Sequence, residues 1–364
     1  MACSGPGAEP VCLPAEKGRQ PRSKWLRFVT YLVAAGALGY VLAHLNVSDL
    51  ASGVSRITWW PVVLAIVLHN IPRLVQAFRW AYLLRPAVVR PFLLLHALFI
   101  GILMSGIFPL CPNDLVRGVI VSRRTGMGVA RVFTSQAIER AADGVALALL
   151  VGLTIRGLSV PAYLNHALLA LIALVGVVTM VGLGLTLQHR RLEAYLAPRQ
   201  PAGRIGRWLK MASLEVLAGA KAVKGWTMPI CISLALGMVA MQVVSMWLLL
   251  YAYHLHLSLI QAAALVGIVT VGTLIPNAPA SVGPWQFFCV LGLGLFGVPA
   301  GEAAGFSLVA FAIFTVPALL GGVIALVVSP MSWADMRRRH EREPIEARPD
   351  LLLQPRQLLL PPAP

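Results

Sequence analysis

Two short clusters in an otherwise apolar chain gather side chains able to do chemistry. Asn113-Asp-Leu-Val-Arg117 follows Pro109 and Pro112, and Ile138-Glu-Arg-Ala-Ala-Asp143 opens a long apolar stretch. A guanidinium offers a planar fork that matches phosphate. A helix restarted after a proline break points free amides and a positive dipole end at an anion. The expected chemistry is therefore anion binding, with Arg117 as the fork and Arg79 or Arg140 beside it. Glu139 and Asp143 fall on one helix face at i, i+4. They can pair with Arg140, or one of them can carry a proton. Asn113 and Asp114 are also good N-cap residues for a helix over 115–122. A third cluster, Ile275-Pro-Asn-Ala-Pro-Ala-Ser-Val-Gly-Pro-Trp-Gln286, carries no charge, so Asn277, Ser281 and Gln286 would orient a polar group rather than neutralise it. Pro109, Pro112, Pro276, Pro279 and Gly283 interrupt the helical backbone around both sites. No P-loop, GxSxG or HExxH pattern is present. No catalytic residue, metal site or cofactor is predicted.

The elements that must position these residues are set by composition. The 364 residues are 58% hydrophobic and 12% charged, with a mean hydropathy of +0.78. Soluble domains carry about 25% charged residues, so the chain reads as a polytopic membrane protein. The formal net charge is +16, and the basic residues collect beside apolar stretches. That placement fits the positive-inside bias and contact with anionic lipid better than nucleic acid. The five cysteines form no CxxC pair and imply neither a disulfide frame nor a metal.

Read in order, 1–24 is a polar tail expected to be disordered and cytoplasmic, and 25–44 is a first span retained in the protein. A second span covers 59–84. Arg73 sits deep within it, where it either snorkels or faces a cavity. Further spans are expected at 132–155, 161–187, 228–253 and 303–328, and the tail at 329–364 is again cytoplasmic and disordered. The loop 188–224 is basic; Ile205, Trp208, Leu209, Ala212 and Val216 share one face, which predicts an amphipathic helix lying on the membrane.

Charge parity constrains the two interrupted stretches. Arg85 and Arg90 place the entry to the first break in the cytoplasm, and Arg117, Arg123, Arg124 and Arg131 place its exit there too. The intervening 92–117 is too short for two spans of about 20 residues each, so it is expected to be a re-entrant hairpin. The same count between Tyr253 and Glu302 demands an even number of crossings from the opposite side. Gly101-Ile-Leu-Met-Ser-Gly106 leads to Pro112-Asn113, and Gly267-Ile-Val-Thr-Val-Gly272 leads to Pro276-Asn277. Interrupted segments at matching places in oppositely oriented halves point to an inverted repeat around a transport site.

These residues resemble a known family. Phe78-Arg-Trp80, the break leading to Asn113-Asp-Leu-Val-Arg117, Ser122-Arg-Arg-Thr-Gly126, Ile138-Glu-Arg-Ala-Ala-Asp143 and the second break followed by Leu295-Phe-Gly-Val-Pro299 together resemble the flippase-like membrane domain of lysylphosphatidylglycerol synthases. The likeness covers 25–328. It implies an all-α bundle in a bacterial cytoplasmic (inner) membrane, and translocation of a phospholipid or a polyprenyl-linked lipid. Two positions depart from the family pattern. Asn113-Asp114 stands where members often have Gly-Glu or Gly-Asp, and Gln286 stands where many have a glutamate. No aminoacyl-transferase domain accompanies the membrane part, so aminoacylation of lipid is not expected.

The combined expectation is an all-α, polytopic membrane bundle of about six to eight transmembrane helices with two broken or re-entrant elements, its termini cytoplasmic. Residues 25–328 form the membrane domain. It would flip or bind an anionic membrane lipid, with Arg79, Asn113, Asp114, Arg117, Glu139, Arg140, Asp143, Asn277, Ser281 and Gln286 at the head group. Two other readings compete. One is a membrane-embedded transferase using a lipid-phosphate carrier, for which Asp114 or Glu139 would serve as acid or base. The other is a non-catalytic partner of lipid-biosynthesis enzymes, such as those for hopanoids.

Overall fold

The computed structural model describes residues 21–45, 54–85, 87–108, 112–156, 226–273 and 279–328. They form α1 (Pro21–Ala43), α2 (Trp59–Leu83), α3 (Pro91–Ile107), α4 (Asn113–Thr125), α5 (Val129–Arg156), α6 (Thr227–Ala252), α7 (Leu259–Gly272), a 3-10 turn (Pro279–Ser281), α8 (Pro284–Leu295) and α9 (Ala300–Val328), with no strand among the described residues. The all-helical expectation holds. The span expected at 161–187 and the amphipathic helix expected in 188–224 lie outside the described residues, as do the tails at 1–20 and 329–364.

Three helices, α2, α6 and α9, are long and apolar enough to cross a membrane. Helix α5 is longer than α2, yet its first half carries the Glu139–Asp143 cluster. The chain is thus a multi-pass membrane protein. Helix α6 lies along α2 and also packs on α5 and α7. Small residues let α2 and α6 approach: Ala65 and Ser245 are both fully buried, and Ser245 Oγ donates to the Ala65 carbonyl at 3.0 Å. Such small-residue contacts and interhelical hydrogen bonds hold helices together where lipid removes the hydrophobic drive. The outer faces remain apolar, with Leu320, Ile324 and Val327 of α9 exposed.

Between these long helices sit two pairs of short ones. Helices α3 and α4, of 17 and 13 residues, are about 25 and 20 Å long at 1.5 Å per residue. Helices α7 and α8, of 14 and 12 residues, reach about 21 and 18 Å. None spans a hydrocarbon core of about 30 Å alone. Each pair folds back on itself, α3 against α4 and α7 against α8, and glycine permits both closures. A Cβ on Gly101 of α3 would overlap the Asn113 side chain at the start of α4, and one on Gly272 of α7 would overlap the Phe288 ring of α8.

The two interruptions meet. Helix α3 packs against the 3-10 turn, and a Cβ on Gly106 would stand 3.9 Å from that of Ala280. The turn itself is strained, with Ala280 and Ser281 at φ 52° and 59° and Gly283 at φ 93°. Left-handed conformations at two successive non-glycine residues cost of order 1–3 kcal/mol each and persist only where the surroundings enforce them. Helix α1 supplies part of that enforcement: it packs on α8, and its Ala34 carbonyl sits where a Gly283 side chain would be.

One local expectation is corrected. Asn113 and Asp114 do not cap α4; the N-cap is Pro112, with no side-chain cap bond. Asp114 turns to two guanidinium groups instead, each of which brings a full opposite charge. The helix runs past Ser122 to Thr125, where Gly126 at φ 71° supplies the left-handed C-cap.

Candidate functional site

Helices α2, α4 and α5 converge on six charged side chains that alternate in sign and close into a ring. Arg79 Nη2 lies 2.7 Å from Asp143 Oδ1 and 3.3 Å from Glu139 Oε1. Glu139 Oε2 continues to Arg117 Nη1 at 3.2 Å, and Arg117 Nη2 to Asp114 Oδ1 at 2.8 Å. Asp114 Oδ1 then meets Arg140 Nη2 at 2.7 Å, and Arg140 Nη1 returns to Asp143 Oδ2 at 3.6 Å. Three cations face three anions, so the ring is neutral. Arg140 also grips Asp114 in bidentate fashion, Nε donating to Oδ2 at 2.8 Å.

Half of the ring is sealed and half is open. The side chains of Arg79, Arg117 and Glu139 reach no solvent. Those of Arg140, Asp114 and Asp143 are 49%, 34% and 28% exposed. Uncharged neighbours hold the sealed half. Gln76 donates to Glu139 Oε1, and the Trp80 ring lies 4.8 Å from the Arg117 guanidinium carbon, a cation–π contact. Trp80 is itself fixed by its Nε1–H, which donates to Ser135 Oγ at 2.9 Å. The pattern Phe78-Arg-Trp80 is thereby explained: Phe78 faces outward and the other two residues inward.

Two cavities lie within the bundle, and one of them borders this ring. The first, of about 510 Å³, is bordered by Gln76, Arg140 and Asp143 and runs inward between α2, α5, α6 and α7. The second, of about 310 Å³, is bordered by Ser105, Gly106, Ser281 and Trp285, where the two interruptions meet. His69, Arg73, Gln242 and Thr270 line both cavities. The two spaces therefore adjoin at a polar waist.

The sequence-derived residues divide accordingly. Arg79, Asp114, Arg117, Glu139, Arg140 and Asp143 come together in the ring, but only Arg140 and Asp143 of these border a cavity. Arg117, expected to be the phosphate fork, donates from Nε to Asp114 and from Nη1 to Glu139. Asn113 packs on Gly101, and its Oδ1 is buried without a hydrogen-bond partner among the described residues. Ser281 faces the second cavity. Gln286 is buried, and its Oε1 accepts from the Gly283 amide at 2.7 Å. It thus fixes the start of α8. Pro112, Pro279 and Gly283 flank the interruptions as expected, while Pro109, Pro276 and Asn277 lie outside the described residues.

Sequence reasoning did not place Gln76, His69 or Gln242 at the site and did not commit to Arg73. The available signal was spacing. Arg73, Gln76 and Trp80 recur at i, i+3, i+7, which puts them on the inward stripe of an otherwise apolar helix. The lysylphosphatidylglycerol synthase TM region, as a family model, matches residues 27–322. No curated protein and no solved structure matches the chain.

Proposed function

The chain belongs to the lysylphosphatidylglycerol synthase TM-region family, and from that premise we propose that it binds an anionic membrane lipid and moves the head group across a bacterial cytoplasmic membrane. The observation that carries this reading is the pair of adjoining cavities inside an apolar bundle, with polar side chains where they meet, one reaching the charged ring and the other reaching the junction of the two interruptions. Irregular backbone and ionised side chains at membrane depth are tolerated where they line a wet cavity or are buried in protein. A head group needs such a path, while its acyl or prenyl chains can stay in lipid. The two short-helix pairs are re-entrant elements in this reading, and they gate the ends of the path.

The transferase alternative draws no comparable support. Asp114 and Glu139, its candidate acid or base, are each taken up by two arginines of the ring. Arg140, the most exposed ring member, meets the phosphate first in the proposed path.

Reconstitution into vesicles with a fluorescent phosphatidylglycerol and a fluorescent polyprenyl-phosphate sugar tests the reading. The wild type is expected to accelerate transbilayer movement of at least one of them. Thr270→Trp, which fills the waist, is expected to stop it. Failure of the wild type to move or bind any anionic lipid, including lipid that co-purifies with it, would overturn the reading.

A further inference from the structure

We infer that Arg73, at the waist between the two cavities, is the binding site for a single phosphodiester, the head-group linkage of a lipid carrying one negative charge there. The inference rests on the lipid-handling reading above and names the residue and ligand charge at its centre.

Arg73 lies in the interior of α2, between Trp59 at its start and Leu83 at its end. Among the described residues no carboxylate pairs with it. Its only hydrogen bonds run from one nitrogen, Nη1, to the His69 carbonyl at 2.9 Å and to Asn70 Oδ1 at 3.0 Å. Both acceptors belong to its own helix and are uncharged. Nε and Nη2, the two donors of one guanidinium edge, are left without partners among the described residues, and the side chain borders both cavities.

A cation placed so deep is costly unless something meets its charge. The ring does not do so, because its three anions are already matched in charge by its own three cations. Among the described residues, the waist therefore presents one unmatched positive charge. Its other polar groups are neutral: the Gln242 amide, which makes no hydrogen bond within the described residues, and the Thr270 hydroxyl, which donates to the Val266 carbonyl at 2.7 Å. His69 is stacked on Phe314 with ring centroids 4.1 Å apart. One guanidinium edge donates two parallel hydrogen bonds to two oxygens of one phosphate. One charge neutralises a phosphodiester and leaves a diphosphate carrier with an excess negative charge in a low-dielectric site.

Two sources share this chemistry, a glycerophospholipid and a polyprenyl-phosphate sugar, and binding to the purified full chain separates them. The probes are phosphatidylglycerol, a polyprenyl-phosphate hexose, phosphatidylcholine and a polyprenyl diphosphate, titrated against wild type, Arg73→Gln and Arg73→Lys. We expect the wild type to bind one of the first two at one per chain, and the diphosphate no more tightly. Arg73→Gln should weaken that binding by roughly tenfold or more, the loss of a charge-assisted pair, and Arg73→Lys should recover part of it. A folded Arg73→Gln protein with wild-type affinity overturns the site. So does a wild type that prefers the diphosphate by more than roughly tenfold, a comparison that needs no variant. Lipid movement that persists at the wild-type rate in Arg73→Gln removes the Arg73 site and leaves the lipid-handling reading standing. A wild type that binds none of the probes removes both.

Discussion

Glu139 of α5 holds Arg117 of α4 across the helix interface, Oε2 to Nη1 at 3.2 Å, and neither side chain reaches solvent. The same carboxylate meets Arg79 of α2. A single acid therefore joins three helices, and its loss would leave Arg79 with Asp143 alone, Arg117 with Asp114 alone, and the buried half of the ring with an unbalanced positive charge. Breaking a buried pair by removing one partner typically costs about 3–5 kcal/mol. Glu139→Ala is expected to destabilise the protein by about that amount, read as a lowered midpoint of thermal unfolding in detergent. Arg140→Ala, at the exposed edge, should cost only about 1 kcal/mol or less. Equal losses in the two variants would show that the sealed half of the ring is not the structural one.

The two interruptions should be capable of covalent linkage. With Cβ positions 3.9 Å apart, Gly106→Cys and Ala280→Cys fall within the range of about 3.5–4.5 Å that a disulfide needs. The native cysteines would be replaced, and Leu319→Ala would clear the side chain that crowds Gly106. Oxidation is expected to give an intramolecular crosslink, detectable by peptide mapping. If the junction gates the cavity, crosslinking should also arrest lipid movement until a reductant is added. No crosslink under oxidising conditions would mean that the breaks do not meet in the membrane.

Closure of the second short-helix pair depends on Gly272. Gly272→Ala should destabilise by about 1–3 kcal/mol through overpacking against the Phe288 ring. Phe288→Leu in the same chain should restore part of the loss. A thermal-unfolding cycle over the two single variants and the double variant measures the coupling. Simple additivity would argue against contact between these positions.

Gln286 is expected to act through α8. Gln286→Ala removes the acceptor that holds the Gly283 amide and should speed hydrogen exchange at that amide, with a stability loss of about 1–3 kcal/mol for the orphaned donor. Gln286→Glu keeps an acceptor oxygen and should retain most of the protection. If Gln286→Ala left exchange at Gly283 unchanged while weakening lipid binding, Gln286 would act at the head group and not through α8.

Much of the fold was legible because lipid constrains sequence so tightly. Long apolar runs name α2, α6 and α9, and Pro-Asn steps mark the interruptions. The charged cluster was legible as a set, since charges in an apolar chain stand out. How those charges share partners was not. Arg117 has the same spacing to Asp114 whether its fork faces a ligand or a carboxylate, and only the arrival of Glu139 from α5 decides between them. The polar waist was still harder to read. Gln242 and Thr270 carry no charge and follow no motif, and Arg73 becomes informative only once the partners of every other arginine around it are known.

The neutrality of the ring carries a further consequence. An anion arriving at Arg140 cannot simply add to six charges that already balance. It must take the place of Asp114 or Asp143, and the displaced carboxylate must either find another cation or turn to water. The mouth of the cavity then works as an ion exchanger, admitting one negative group for each that it releases. Entry would depend on the competition between two anions for one guanidinium, and on how well water or another cation receives the carboxylate that loses.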